Sequence, residues 1–198
     1  MSVVKNDNEV KKVIISDLFS RIMKTLGLDL TDDSLKGTPD RLAKLYVDEW
    51  FSSLKENSFP RMMTVKNKMG YDQMLIERDI KVMSTCEHHF CPIMGKAHVA
   101  YIPKDKVIGL SKLNRIVDYY CRKPQIQERL TKEIHDRLVK ELGTKDVAVI
   151  VDSIHTCVIT RGVQDVNSST ITSSLGWIFK KDSAVRKEFL DLIKLKNG

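Results

Sequence analysis

The sequence predicts an α+β protein, and three observations carry that expectation. Apolar residues recur at helical spacing through the first third of the chain. The period then switches to two over residues 74–85, and a second extended run returns after a short turn. Beyond it, helical segments alternate with further β-rich runs, and the chain closes on a helical pattern.

Val10, Val13, Ile14, Leu18, Ile22 and Leu26 mark the first helix, with Gly27 as its stop signal. A polar connector over residues 29–37 leads to Thr38 and Pro39, an N-cap and a proline at the first helical position. The helix they open is expected to reach Leu54 and to bury Leu42, Leu45, Tyr46 and Trp50. No Gly/Ser/Pro-rich linker follows, so residues 1–60 read as a helical region and 61–198 as the main domain, the two forming one structural unit. In residues 74–85, Met74, Ile76, Ile80 and Val82 alternate with Leu75, Glu77, Asp79 and Lys81. That strand delivers Cys86 into a turn closed by Pro92 and Gly95, and a strand over 96–102 returns. His98, on the return strand, reads as a structural histidine.

Ser111 is the expected N-cap of a helix running to Cys121, and Pro124 the expected start of the next, with Ile126, Leu130, Ile134 and Leu138 along one face and Gly143 at its end. Residues 147–151 read as a buried strand. Continued in register, it puts His155, Cys157 and Arg161 on one side, with Gly162 ending the run. A further strand is expected within 167–179. Val185, Phe189, Leu190 and Ile193 mark a terminal helix over 184–195.

Composition narrows the class. At 198 residues, with 42% hydrophobic and 30% charged residues, the chain is long enough for a substantial core and resembles neither a disordered nor a fibrous protein. The aliphatic run at 147–151 is too short to span a membrane. Residues 1–12 are polar and charged and lack the apolar stretch of a signal peptide. Four cysteines, two of them assigned below to a metal, argue against a disulfide framework and for a reducing cytoplasm. A net charge of +7 favours anionic partners, either a nucleic acid or a nucleoside triphosphate.

The chemistry concentrates in Ser84-Thr85-Cys86-Glu87-His88-His89, answered downstream by His155-Thr156-Cys157. Cys86 and His89, three apart, can converge on one ion, and Cys157 is the best candidate for a third ligand. A Cys/His/Cys trio leaves a fourth tetrahedral position open, which is the catalytic arrangement of zinc. His88 and His155 remain beside the proposed ligands, placed to move protons. A Cys-x-x-His pair alone is a weak pattern, and a lone cysteine is more often a buried hydrophobe. Here, however, two of four cysteines and three of five histidines fall in these two segments. Cys91 reads as a nearby thiol without a coordinating role.

A second cluster suits an anion. Backbone N–H groups at the helix start near Ser111, with Lys112 and Arg115 in its first turns, form a phosphate-sized site. Gln127 and Glu128 fall in the first turn of the following helix. Glu128 either complements the helix dipole or accepts the paired donors of a guanine edge. Arg41, in the first turn of the second helix, reads locally as a solvated charge.

Ser84 to His89, Tyr101-Ile102-Pro103, residues 107–112, residues 125–131 and His155-Thr156-Cys157 with Arg161-Gly162-Val163 together resemble the bacterial-type GTP cyclohydrolase I family, over a span from about Leu18 to the C-terminus. The resemblance implies a tunnelling fold: an antiparallel sheet with helices packed on one side, preceded by the N-terminal helical layer. It implies assembly through sheet edges into a homodecamer of two pentamers, and Zn2+ held by Cys86, His89 and Cys157. It implies conversion of GTP and water to formate and 7,8-dihydroneopterin triphosphate, opening tetrahydrofolate biosynthesis. Water activated by zinc attacks C8 of the purine while His155, assisted by His88, protonates N7. By the same likeness Gln127 lies near the reacting water, Glu128 anchors guanine and Ser111 approaches the ribose. Lys112, Arg115, Arg161 and Arg41 clamp the triphosphate. Two other readings compete. One is a zinc-stabilised nucleic-acid-binding module, disfavoured by the three-ligand site and the lack of a recognition motif. The other is a different pterin or deazapurine enzyme on the same fold, disfavoured by the paired ligand segments with both flanking histidines. Neither nucleic acid nor a membrane is an expected partner.

Overall fold

A computed structural model describes residues 8–195; the polar start of the chain, residues 1–7, lies outside the described residues. The chain divides into two compact units, Met1–Ser58 and Phe59–Gly198.

In the first unit, α1 (Asn8–Thr25) packs on α2 (Thr38–Lys44). The cap of α2 is Gly37 rather than Thr38. The chain then widens into a π-helical stretch, Leu45–Trp50, and ends in a 3₁₀ turn, Ser52–Leu54. The widening carries a five-residue bond, Phe51 N–H to Tyr46 O at 3.0 Å, and rotates the following side chains relative to an α-helix. Ala43 and Val47, four apart, are the buried residues, while the expected Leu42, Leu45, Tyr46 and Trp50 are half-buried. Ser16 Oγ donates to Asp40 Oδ1 (2.6 Å), Lys12 pairs with Asp48 (3.2 Å), and Phe19 meets Tyr46 at 5.3 Å between ring centres. The apolar stripe that predicts α1 faces outward in the single chain: Val13 and Leu26 are more than 70% exposed, and of α1 only Met23 is buried.

The second unit is built on a five-stranded sheet. In chain order its elements are β1 (Thr64–Lys66), β2 (Leu75–Cys86), β3 (Pro92–Tyr101), β4 (Lys106–Ile108), α3 (Leu110–Cys121), β5 (Pro124–Gln125), α4 (Gln127–Leu142), β6 (Val147–His155), α5 (Thr156–Ile159), β7 (Thr170–Leu175), α6 (Trp177–Lys181) and α7 (Ser183–Leu192). The sheet runs β5-β2-β3-β6-β7, antiparallel except for β5, which lies parallel to β2; β1 and β4 form a separate ribbon.

Several boundaries differ from the sequence expectation for tertiary reasons. Pro92 and Gly95 belong to β3 rather than to the turn, paired with Thr85 and Val82. Gly95 is required there: a Cβ would sit 2.1 Å from Asp152 O on β6. Pro124 starts no helix; it pairs with Thr85, and α4 begins at Gln127. The cap of α3 is Gly109, not Ser111. β6 stops at His155, where α5 takes over, so Cys157 rides on a helical turn. The expected strand within 167–179 shortens to β7 and gives way to α6; the terminal helix ends at Leu192. His98 is the structural histidine expected, its Nδ1 accepting the Asp79 N–H (3.2 Å) at a bulge in β2.

α3 and α4 cover one face of the sheet. Leu113, Ile116 and Val117 from α3, and Leu130, Ile134 and Leu138 from α4, close over Val82, Val99, Val147, Val149 and Val151. Full burial of each such side chain is worth about 1.5–3 kcal/mol. On the other face, Phe179 and Phe189 from α6 and α7 pack on Ala100, Ala148 and Ile150. β6 is therefore apolar on both faces, which is why its run is continuous rather than alternating. α4 ends at Gly143 in the left-handed region (φ 67°), its N–H bonded to Val139 O at 3.0 Å. Among the described residues no helix is long and apolar enough to cross a membrane.

Candidate metal centre and active site

β2 ends on Cys86, and the loop that follows is closed by its own backbone. Cys86 N–H donates to Cys91 O and Phe90 N–H donates to Cys86 O, both at 2.8 Å. Phe90 adopts φ 53°, turning the chain back into β3. Cys157 arrives on α5, held against β3 by Thr156 Oγ1 donating to Pro92 O at 2.8 Å. The ligand atoms of Cys86, His89 and Cys157 all lie within 4.8 Å of one another. That spread is small enough for one tetrahedral zinc, whose bonds are near 2.3 Å to sulfur and 2.0 Å to nitrogen. Burial, with the Cys86 thiol beside it, pushes the Cys157 thiol up. Two sulfurs this close resist joint ionisation, and a divalent cation removes that penalty. The donor set therefore fits a metal ion, and among the described residues no other trio of metal-binding side chains converges. Cys91 stands outside the trio, its Sγ 3.6 Å from His89 O.

The flanking groups are also gathered here. Arg161 Nη1 donates to His89 Nε2 at 2.8 Å, so a cation already faces that imidazole. His88 is exposed, with Nδ1 3.8 Å from Cys86 Sγ. His155, at the end of β6, has Nε2 2.7 Å from Gln127 Oε1. A carbonyl oxygen only accepts, so that nitrogen carries the proton and Nδ1 keeps its lone pair. The amide orientation follows from its neighbours: Gln127 Nε2 donates to Val151 O (3.1 Å) and Thr170 O (2.7 Å), and Oε1 also accepts from Ser153 Oγ (2.7 Å). Burial holds His155 below its ordinary pKa against the opposing pull of the Glu128 carboxylate, so the ring is neutral near pH 7. Glu128 itself is exposed on the first turn of α4.

Gln127 is 2% exposed and all its hydrogen-bonding capacity is taken by protein groups. Its carbonyl oxygen therefore orients the His155 ring. Ser153 and the Thr170 carbonyl, which complete its surroundings, carried no sequence signal, since their role depends on how β6, β7 and α4 meet.

Ser111, Lys112 and Arg115 are not brought to this cluster within one chain. α3 runs alongside β2, with Asn114 Nδ2 donating to Glu77 Oε1 (3.1 Å) near its start and Ser84 Oγ donating to Cys121 O (2.9 Å) at its end. Its cationic first turns thus lie towards the Glu77 side of β2, and its last turn lies beside Ser84. Arg41 belongs to the first unit, where its guanidinium donates to Ser34 O (3.1 Å) and Thr38 Oγ1 (2.7 Å).

Comparison with known proteins agrees with this geometry. The profile of the GTP cyclohydrolase I family matches residues 15–194. GTP cyclohydrolase 1 of Enterobacter sp. (strain 638) and that of Citrobacter koseri are each 53% identical over 191 residues, covering 96% of this chain and 86% of the relative. GTP cyclohydrolase 1 of Escherichia coli O1:K1 / APEC is 52% identical over the same shares. The sheet with its covering helices is the tunnelling fold of that family. With the match running almost end to end and the Cys/His/Cys cluster assembled within it, the chain belongs to the GTP cyclohydrolase I family, enzymes that convert GTP to dihydroneopterin triphosphate.

Proposed function

We propose that this protein is a zinc-dependent GTP cyclohydrolase I that hydrolytically opens the imidazole ring of GTP, releases formate and forms 7,8-dihydroneopterin triphosphate, the first step of tetrahydrofolate biosynthesis. The observation that carries the proposal is the convergence of Cys86, His89 and Cys157 beside His155, whose ring is oriented by Gln127. Two thiolates and an imidazole favour zinc over the harder divalent ions. Held by these residues, zinc supplies the Lewis acidity that brings the pKa of water towards neutrality.

The chain's own groups do the rest. His155, with one proton held on Nε2 by Gln127, takes a second at Nδ1 from the attacking water and passes it to N7 of the purine, with His88 assisting. Glu128 accepts the N1–H and 2-amino donors of guanine, Ser111 meets the ribose, and Lys112, Arg115, Arg161 and Arg41 neutralise the triphosphate. Because the start of α3 stands away from Cys86 in one chain, a complete pocket draws those residues from a neighbouring subunit. The outer edge of β7, where Ile171 is 66% exposed, supports assembly through sheet edges into a decamer of two pentamers. Free thiols at all four cysteines support a cytoplasmic setting.

Incubating metal-replete protein with GTP tests the reading. Formate and a pterin chromophore are expected, with one zinc per chain, and Cys157→Ser or His89→Ala should lose both metal and turnover. Absence of formate, or full zinc and full turnover in Cys157→Ser, overturns it.

A further inference from the structure

We infer that Arg129 is a positioning residue for the metal-ligand loop, gripping Glu87 between the ligands Cys86 and His89; the inference rests on the metal centre proposed above. Within this loop, closed by the backbone bonds of Cys86 and Phe90, the side chains of His88, His89 and Phe90 are all exposed. Its first residue is set by β5: Glu87 N–H donates to Gln125 O at 3.0 Å, continuing the parallel pairing of Thr85 and Cys86 with Pro124 and Gln125. A strand of two residues is a weak template unless something fixes it.

Arg129 supplies that fixing. Its Nη2 donates to Pro124 O (3.2 Å) and to the Glu87 carboxylate, and its Nε donates to Gln125 Oε1 (2.9 Å). Gln125 is fully buried and in turn donates to Tyr120 O (3.0 Å) and to Glu133 Oε2 (2.8 Å). One guanidinium thus joins a backbone carbonyl, a buried amide and the carboxylate next to a metal ligand. Only arginine offers donors in a rigid planar fork; a lysine ammonium is a single point of charge.

The Arg129 and Glu87 side chains are 40% and 32% exposed, so as an ion pair they add little to folding stability. What the arrangement supplies is orientation. Through Gln127 and Arg129, two residues apart on the first turn of α4, one helix end holds His155 on the Cys157 side and Glu87 on the Cys86 side. Partners behind metal ligands act in this way, and their loss typically weakens metal binding about 10–100-fold.

The test uses full-length Arg129→Met, Arg129→Lys and Glu87→Gln. Zinc retention is measured against a competing chelator, the visible spectrum of the cobalt-substituted protein reports thiolate coordination, and urea unfolding serves as the control. Arg129→Met is expected to weaken metal retention about 10–100-fold and to shift the cobalt bands. It also leaves the buried Gln125 Oε1 without its donor and lowers the urea midpoint, so Glu87→Gln, which keeps that bond, must weaken retention with the midpoint close to the parent's. Arg129→Lys should recover only part, because an ammonium cannot hold Glu87, Gln125 and Pro124 together. Glu87→Gln should cost less in the Arg129→Met background than in the parent. Additive losses in that pair, full recovery by lysine, or unchanged retention and spectrum in both Arg129 variants would each overturn the inference. If Arg129→Met does not fold, Arg129→Lys and Glu87→Gln decide it. A parent that takes up no metal overturns the metal reading as well, whereas a parent and variants that bind alike overturn this inference alone.

Discussion

Replacing Gln127 with leucine separates the scaffolding of His155 from the metal centre. Leucine is close to glutamine in volume, so the substitution removes hydrogen bonds without opening a large cavity. Four bonds are lost, to Val151 O, Thr170 O, Ser153 Oγ and His155 Nε2. At about 1 kcal/mol net each, offset by about 1–2 kcal/mol from burying an aliphatic chain in place of an amide, the expected destabilisation is about 2–3 kcal/mol. His155 also loses the acceptor that keeps its proton on Nε2. Proton transfer by a placed side chain contributes about 10²–10⁴ in rate, and losing its orientation should lower kcat about 100-fold. Zinc content should not change, since the Cys157 segment is held on β3 by Thr156 Oγ1 and Pro92 O rather than by the Gln127–His155 contact. Urea unfolding followed by circular dichroism at matched protomer concentration, pterin formation from GTP, and zinc by atomic absorption give the three readouts. Unchanged kcat alongside reduced stability would make Gln127 purely structural. Loss of zinc would mean that the network supports the ligands themselves. No change in stability would refute the hydrogen-bond reasoning altogether.

Three further outcomes follow from the same geometry. Glu128→Ala should retain zinc and lose GTP turnover by at least about 100-fold, because guanine donors are left unpaired in the pocket; near-normal kinetics would return Glu128 to a helix-start carboxylate. Cys157→Ser and Arg115→Ala, each inactive alone, should regain partial activity when refolded together, since random mixing leaves about a quarter of shared pockets intact. Native mass spectrometry confirms the mixing, and mixed oligomers without activity would place the whole site within one chain. Gly95→Ala forces a Cβ to within 2.1 Å of Asp152 O and 2.5 Å of Ser153 Cα, so β3 and β6 must separate beside His155. A loss of about 3 kcal/mol or more is expected, read as a lower thermal midpoint or insoluble protein, and an unchanged midpoint would contradict the close approach.

The donor chemistry and most of the elements were legible in the residues alone. Thiol and imidazole are the groups that hold such an ion, and the Cys86–His89 spacing brings two of them together within one loop. Helical and alternating periods are likewise local, so α1, β2, α3, α4 and β6 could be read before any contact was known. What stayed hidden was non-local. Periodicity assumes that the local geometry continues, and it therefore carried β6 past His155, where the chain instead turns into α5 and presents Cys157 from a helix. Proline statistics favoured a helix start at Pro124, but pairing with Thr85 at the metal loop outweighed that preference. The roles of Gln127 and Arg129 depend on where hydrogen bonds are completed, and residue type alone leaves that open. That one end of α4 reaches both His155 and Glu87, and that the start of α3 lies beside Glu77 of β2, emerges from packing. Both follow from the directions in which the helices cross the sheet, a property of packing that no stretch of sequence encodes alone.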